Sequence, residues 1–164
     1  MVKVAVNGFG RIGRLVFRYA WDDPTLEIVH VNDLCSVQSA AYLIKYDSVH
    51  GTWNKDVQQE KEGEFTVDGK KVTFSQEKDY RNIDFKAMGV EMVLECTGVF
   101  LTVASLEPYI NDCGIKRVVV SAPVKEGGTL NVVLGCNNEK LSDSNKIITN
   151  ASCTTNCLAP VVRV

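Results

Sequence analysis

At 164 residues, 45% apolar and 23% charged, the chain is long enough for one domain with a real core and has the make-up of an ordinary soluble globular protein. Its 18 basic and 20 acidic side chains leave a net charge of −2 with both signs scattered, which excludes a basic nucleic-acid footprint and an acidic tail. No apolar run approaches the ~18 residues of a membrane span, and "MVKVAVNGFG" lacks a signal-peptide core, so a cytoplasmic location is expected, with neither membrane nor nucleic acid as partner.

Apolar, β-branched runs alternate with helix-like segments, the pattern of a parallel sheet with crossover helices. Val2–Asn7 reads as a buried strand. Arg11–Trp21 follows as a helix with Ile12, Leu15, Val16 and Tyr19 on one apolar face. Leu26–Asn32 is the next strand, and Ser36 caps a helix to about Lys45 with Val37, Ala40, Ala41 and Ile44 inward. "GEFTVDGKKVTFS" then changes character: two β-rich arms flank Asp68-Gly69, a hairpin signal and an antiparallel insertion. Val90–Glu95 resumes the buried strands, and Thr102 opens a helical stretch to about Cys113 that Pro108 opposes. Lys116–Ser121, Leu130–Leu134 and Lys146–Thr149 are further strands. From Ser152 a helix begins, which Pro160 is expected to shorten or kink. No repeat, low-complexity segment or linker interrupts the chain. The expected fold is α/β: doubly wound, mostly parallel, with the hairpin inserted.

Gly8, Gly10 and Gly13 form G-x-G-x-x-G, a weak signal alone. Here it follows a predicted strand, opens a predicted helix, and is answered by Asp33, which lies 20 residues after Gly13 at the end of a second strand. That context is the dinucleotide-binding fingerprint. Gly8 permits the tight turn, Gly10 lets backbone approach a pyrophosphate, and Gly13 lets helix pack on strand. The helix start holds phosphates through free N–H groups and the dipole. Asp33 accepts from the ribose hydroxyls and repels a 2′-phosphate, favouring NAD over NADP; Leu34 adds no cation to reverse this. The competing reading is a glycine-rich turn that binds some other phosphate ligand, or none.

Six cysteines at 35, 96, 113, 136, 153 and 157, without C-x-x-C and with only His30 and His50 beside them, offer neither a disulfide framework nor a zinc site; no metal is expected. Cys153, in "NASCTTNC", falls in the first turn of the last helix. Helix starts favour thiolate over thiol and carry donors for an oxyanion, so Cys153 is placed like a nucleophile. An inert Cys153 is the bland alternative. Cys35, Cys96, Cys113, Cys136 and Cys157 read as small buried hydrophobes. A thiol attacking an aldehyde needs a base. His30 reads as a core residue and His50 as ordering the "YDSVHG" turn, and nothing in the sequence brings either to Cys153.

"VAVNGFGRIGR", "KYDSVHG", "ECTGVF", "VVVSAP" and "NASCTTNCLAP", in that order along the whole chain, resemble glyceraldehyde-3-phosphate dehydrogenase. The resemblance covers about the first half of such an enzyme. It implies an NAD-binding Rossmann domain over 1–150 and the start of a catalytic domain over 151–164. It implies a triose phosphate aldehyde attacked by Cys153, hydride transfer to NAD, and release of the thioester by inorganic phosphate, with the family's histidine base beyond this chain and a homotetramer at full length. Carried over by residue, Arg11 and Ile12 contact the pyrophosphate and Asp33 the ribose, while Lys78 stands on the adenine side. Thr97 and Gly98 line the cleft, Ser121 approaches the nicotinamide, and Ser152 and Thr154 help bind substrate or phosphate.

Three departures mark a divergent branch: Lys78 where the family has arginine, Cys96 for a serine, and Asn138 for a histidine. Lysine lacks arginine's planar fork, which loosens adenine-side contacts. Two other classes compete with the enzyme: a non-catalytic dinucleotide-binding or redox-sensing module, and a cysteine acyl-transfer enzyme without NAD.

Overall fold

Val2–Asn7 forms β1 at the centre of a nine-stranded sheet, with Val4 and Val6 packed to one side and Ala5 to the other. The computed structural model describes residues 1–127 and 129–164, and all their side chains but that of Glu60. α1 (Arg11–Ala20) returns the chain to β2 (Leu26–Asn32), parallel to β1, and α2 (Val37–Lys45) follows on the Ser36 cap, whose hydroxyl accepts the Ser39 N–H. Val37, Ala40, Ala41 and Ile44 are all buried. Two short strands, β3 (Tyr46–Asp47) and β4 (Gly51–Thr52), make a separate antiparallel pair.

The hairpin lies where its turn residues put it. β6 (Glu64–Val67) and β7 (Lys70–Ser75) meet at Asp68 and Gly69, with φ of +50° and +75°, the two-left-handed-residue turn that suits strand twist. β5 (Val57–Lys61) adds a third antiparallel strand at the edge. β7 pairs in parallel with β2, so the insertion extends the main sheet.

On the other side of β1 lies β8 (Met92–Glu95), then β9 (Arg117–Val120), β11 (Ile147–Thr149) and β10 (Leu130–Asn131), all parallel. The chain therefore reverses its winding between β1 and β8, the point at which doubly wound sheets open a crevice. α3 (Val103–Asn111) and α4 (Cys153–Arg163) are the remaining α-helices among the described residues, and short 3-10 turns lie at Tyr80–Asn82 and Asn138–Lys140. One core joins α1, α2 and the hairpin around Phe9, Phe17 and Phe65; a second sets Leu106 and Tyr109 of α3 against Tyr80, Phe85 and Val93.

Three expectations are corrected. α1 faces inward with Gly13 and Phe17, while Ile12 and Tyr19 are exposed. The cause is contact at Gly13: a Cβ there would sit 2.0 Å from the Gly8 carbonyl oxygen, so the helix lies on the strand at that residue and brings Phe17, one turn on, into the core. The helical stretch expected from Thr102 stands with Pro108 inside it, and that residue's carbonyl accepts the N–H groups of Asp112 and Cys113. α4 runs through Pro160 to Arg163; a proline forfeits one bond, to Asn156, yet its own φ is helical, and this end of the helix is solvated. Cys157 is exposed, because α4 buries no residue.

Candidate functional site

Three parallel strands, β8, β1 and β2, end side by side, and a turn follows each. After β1, Gly8 has φ +88°, and a Cβ on it would lie 2.5 Å from the backbone nitrogen of Thr97, which follows β8. Only glycine permits that approach. α1 then starts on Gly10, which offers no side-chain cap, and the first turn holds no acidic residue. Its leading N–H groups are thus left for an anionic ligand, with the helix dipole behind them. A Cβ on Gly10 would meet nothing within 4 Å.

Asp33 faces this turn. Its Oδ2 accepts the Phe9 N–H at 2.6 Å and its Oδ1 accepts the Cys35 N–H at 2.9 Å. Each oxygen keeps a lone pair for a hydroxyl donor. Gly8, Gly10, Asp33, Lys78, Thr97 and Phe100 line a cleft of about 440 Å³. An uncapped helix start beside a held carboxylate, with an aromatic wall, is a donor set that fits a dinucleotide.

A second cavity of about 470 Å³ adjoins the first, with Cys96 on the wall of both. Ile12, Ser121, Cys153 and Asn156 line it. Burial pushes the Cys96 thiol up to about 12, and a hydrogen bond with Ser121 only partly opposes that. Cys153 itself is exposed, at the first position of α4. The elbow before it is held open by hydrogen bonds. Ala151 takes a left-handed φ of +54°, unusual for alanine. Its N–H donates to Thr149 Oγ1 at 3.0 Å, and Asn156 Nδ2 donates to the carbonyls of Asn150 (2.7 Å) and Ser152 (2.9 Å) on either side.

The other sequence candidates lie as follows. Arg11 lines neither cavity; it pairs with Asp47 of the "YDSVHG" turn at 3.1 Å. The backbone N–H groups of His50 and Val49, and after them Arg11, hold the Asp47 carboxyl below the usual range. Gly98 shapes the turn after β8 with φ +71° but does not line the cleft. Ser152 caps α4 by accepting the Thr155 N–H, and its hydroxyl meets that of Thr154 at 2.9 Å; both flank Cys153 without lining its cavity. His30 is buried between Thr73 Oγ1 (2.7 Å) and Ser75 Oγ (2.9 Å). His50 is exposed, and neither histidine lines the Cys153 cavity.

Sequence reasoning missed Asn7 and Asn32, which line the cleft at only 2% and 4% exposure, Glu95 at 1% exposure behind them, and Asn150 at the elbow; Asn156 it counted only as one more hydrogen-bonding group beside Cys153. One signal for the first three stood in the sequence: "VKVAVN", "LEIVHVN" and "MVLE" are apolar strands that each finish on a polar residue.

A doubly wound sheet whose glycine turn, acidic strand end and helix start converge at the switch point is a Rossmann-type dinucleotide-binding domain. Over residues 2–103 the sequence matches the family described as glyceraldehyde 3-phosphate dehydrogenase, NAD binding domain. The chain belongs to that family of NAD-dependent dehydrogenases, and its cofactor is NAD. It is 47% identical to glyceraldehyde-3-phosphate dehydrogenase 3 of Nostoc sp. (strain PCC 7120), across 99% of this chain and 48% of that protein. It is 46% identical to the glyceraldehyde-3-phosphate dehydrogenase of Zymomonas mobilis, with 99% and 48% covered, and 45% identical to that of Clostridium pasteurianum, with 100% and 48% covered. The chain spans about half the length of these curated relatives.

Proposed function

We propose that the chain is the cofactor-binding portion of a phosphorylating dehydrogenase that converts glyceraldehyde 3-phosphate to 1,3-bisphosphoglycerate through a thioester on Cys153. Residues 1–150 are its NAD-binding domain and 151–164 the start of its catalytic domain. The observation that carries this reading is the shared wall: Cys96 borders both the Asp33 cleft and the cavity that receives Cys153.

In this scheme the free N–H groups at the start of α1 hold the pyrophosphate, Asp33 the adenosine ribose, and the cleft between Lys78 and Phe100 the adenine. Cys153, held at the α4 start, adds its thiolate to the aldehyde carbon, and the helix N–H groups steady the resulting oxyanion. NAD, when bound, supplies the acceptor for the hydride that this carbon gives up. Ser152 and Thr154, beside the nucleophile, receive substrate or inorganic phosphate; a phosphate oxygen attacks the thioester carbon, the C–S bond breaks, Cys153 is released as thiolate and the acyl group departs as an acyl phosphate. Proton removal from the thiol and from the adduct needs a base, and neither His30 nor His50 reaches the cavity. The chain alone therefore binds NAD without turnover, and the complete protein, a cytoplasmic homotetramer in this reading, supplies the rest.

Alkylation tests the arrangement. Iodoacetamide labels exposed Cys153 and Cys157 before buried Cys113 and the raised Cys96 thiol, and saturating NAD slows labelling at Cys153 but not at Cys157. Peptide mass spectrometry reads both. In the complete protein, labelling Cys153 abolishes dehydrogenase activity. Retained activity, or dehydrogenase turnover by this chain alone, overturns the scheme.

A further inference from the structure

The nucleotide cleft has two walls built by distant segments, Glu77–Lys78 after β7 and Cys96–Thr97 after β8. A single chain of hydrogen bonds, buried at its centre and part-buried at its ends, joins them, and two of its members, Asn7 and Asn32, themselves line the cleft. Asn32 pairs with the backbone of Glu77: its Nδ2 donates to the Glu77 carbonyl at 2.9 Å and its Oδ1 accepts the Glu77 N–H at 2.8 Å. The same Nδ2 donates to Asn7 Oδ1 at 2.7 Å. Asn7 Nδ2 in turn donates to Glu95 Oε2 at 2.8 Å and to the Tyr109 hydroxyl at 2.6 Å, and that hydroxyl donates to Glu95 Oε2 at 2.7 Å. Glu95 Oε1 closes the chain by accepting the Thr97 N–H at 2.8 Å and the Thr97 hydroxyl.

Among the described residues, all of Glu95's partners are neutral donors, and Glu95 is 1% exposed. A carboxylate in that position is tolerated only while every donor stays aimed at it. Each donor therefore has one geometry, and so do the wall segments from which two of them project. Asn7 is the middle link, since both of its amide atoms are committed, one to each wall.

We propose that Asn7, Asn32 and Glu95 are positioning residues that set the separation of the two cleft walls and thereby the grip on the adenylate half of NAD. The proposal rests on this cleft being the NAD site. Glu95→Gln turns an amide toward two groups that already point donors at this position, Asn7 Nδ2 and the Tyr109 hydroxyl, and breaks the chain at its centre. Asn7→Asp sets two carboxylates against each other. The double variant Asn7→Asp/Glu95→Gln exchanges the polarity of the link: the new carboxylate at position 7 then accepts from Asn32, Tyr109 and the new amide, while the remaining oxygen at position 95 still accepts from Thr97.

Calorimetric titration of the chain with NAD and with ADP-ribose, beside thermal melts, tests this. Each single variant weakens both ligands about tenfold, and the double variant restores them to within about threefold of wild type. Tyr109→Phe keeps the ring stacked on Tyr80 at 3.7 Å and the Asn7–Glu95 bond, and costs no more than about threefold. A folded Glu95→Gln variant that binds as wild type overturns the proposal. So does a double variant that melts as wild type but binds no better than the singles. Where a single variant does not fold, the double variant decides alone: wild-type affinity supports the proposal, and weak binding overturns it. A wild-type chain that binds neither ligand brings down the cleft reading itself, and this inference with it.

Discussion

The carboxylate of Asp33 accepts the backbone N–H of Phe9 at 2.6 Å, so the acid that ends the second strand also holds the middle of the glycine turn. Two motifs 24 residues apart are thus one device. Substituting Asp33 has two separable effects. Asp33→Asn keeps an acceptor for the Phe9 N–H but lowers the pull on ribose hydroxyls; Asp33→Gly removes both. NAD affinity falls modestly in the first variant and by tenfold or more in the second, on the order of 1.5 kcal/mol for each charge-assisted bond lost. Loss of the carboxylate also removes the repulsion against a 2′-phosphate, and Lys78 lines the same cleft as a cation. The ratio of NAD to NADP affinity, measured by titration, therefore narrows in Asp33→Gly. An unchanged ratio removes Asp33 from specificity.

Gly13 and Gly10 separate packing from binding. At Gly13 a new methyl meets backbone at 2.0 Å, which no side-chain rotation relieves, so Gly13→Ala forces α1 off β1 and lowers stability by about 3 kcal/mol or abolishes folding. At Gly10 the same methyl meets nothing within 4 Å. Gly10→Ala changes stability by only about 1 kcal/mol, as for an N-cap lacking a polar side chain, yet weakens NAD by filling space at the helix start. Urea unfolding with NAD titration reads both. Equal destabilisation by the two variants contradicts this division.

His30 gives the chain an acid-sensitive core. Burial lowers its pKa from 6.5 to about 4, because the charged imidazolium has lost its water between Thr73 and Ser75. A folded-state pKa below the unfolded one means that protons bind the unfolded chain more tightly. The stability tied to neutral His30 is whole above pH 6.5 and is lost as pH falls toward 4, about 3 kcal/mol in all. Carboxylates contribute their own acid loss, Asp79 among them, held down to about 2 by its bonds with Arg81. His30→Gln isolates the histidine: its urea midpoint falls less than that of wild type between pH 7 and pH 4.5. Identical slopes would exclude His30 as the source.

Elements written by neighbours in the chain were legible in the sequence. Ser36 with Val37, Ala40, Ala41 and Ile44 specifies α2 to within a residue, because cap and period act over a single turn. Asp68-Gly69 specifies its hairpin through two left-handed residues. Gly8, Gly13 and Asp33 announced the cleft because turn, packing and acid each demand one residue type. The inward face of α1 was misread for the opposite reason. Its apolar residues Ile12 and Tyr19 look like a core stripe, but the close approach of a residue without a side chain chose the face.

The sequence by itself settled the main alternation of strands and helices, though not the strands β3, β4 and β5, together with the nucleotide fingerprint and the place of Cys153 at a helix start, all of them properties of short windows. Tertiary structure alone decided that β8 lies beside β1, that Asn7 therefore meets Glu95 across 88 positions, and that Cys96 borders two cavities at once. Pairing between parallel strands fixes such meetings, and its register is set by the burial of both sheet faces together, which no local window contains.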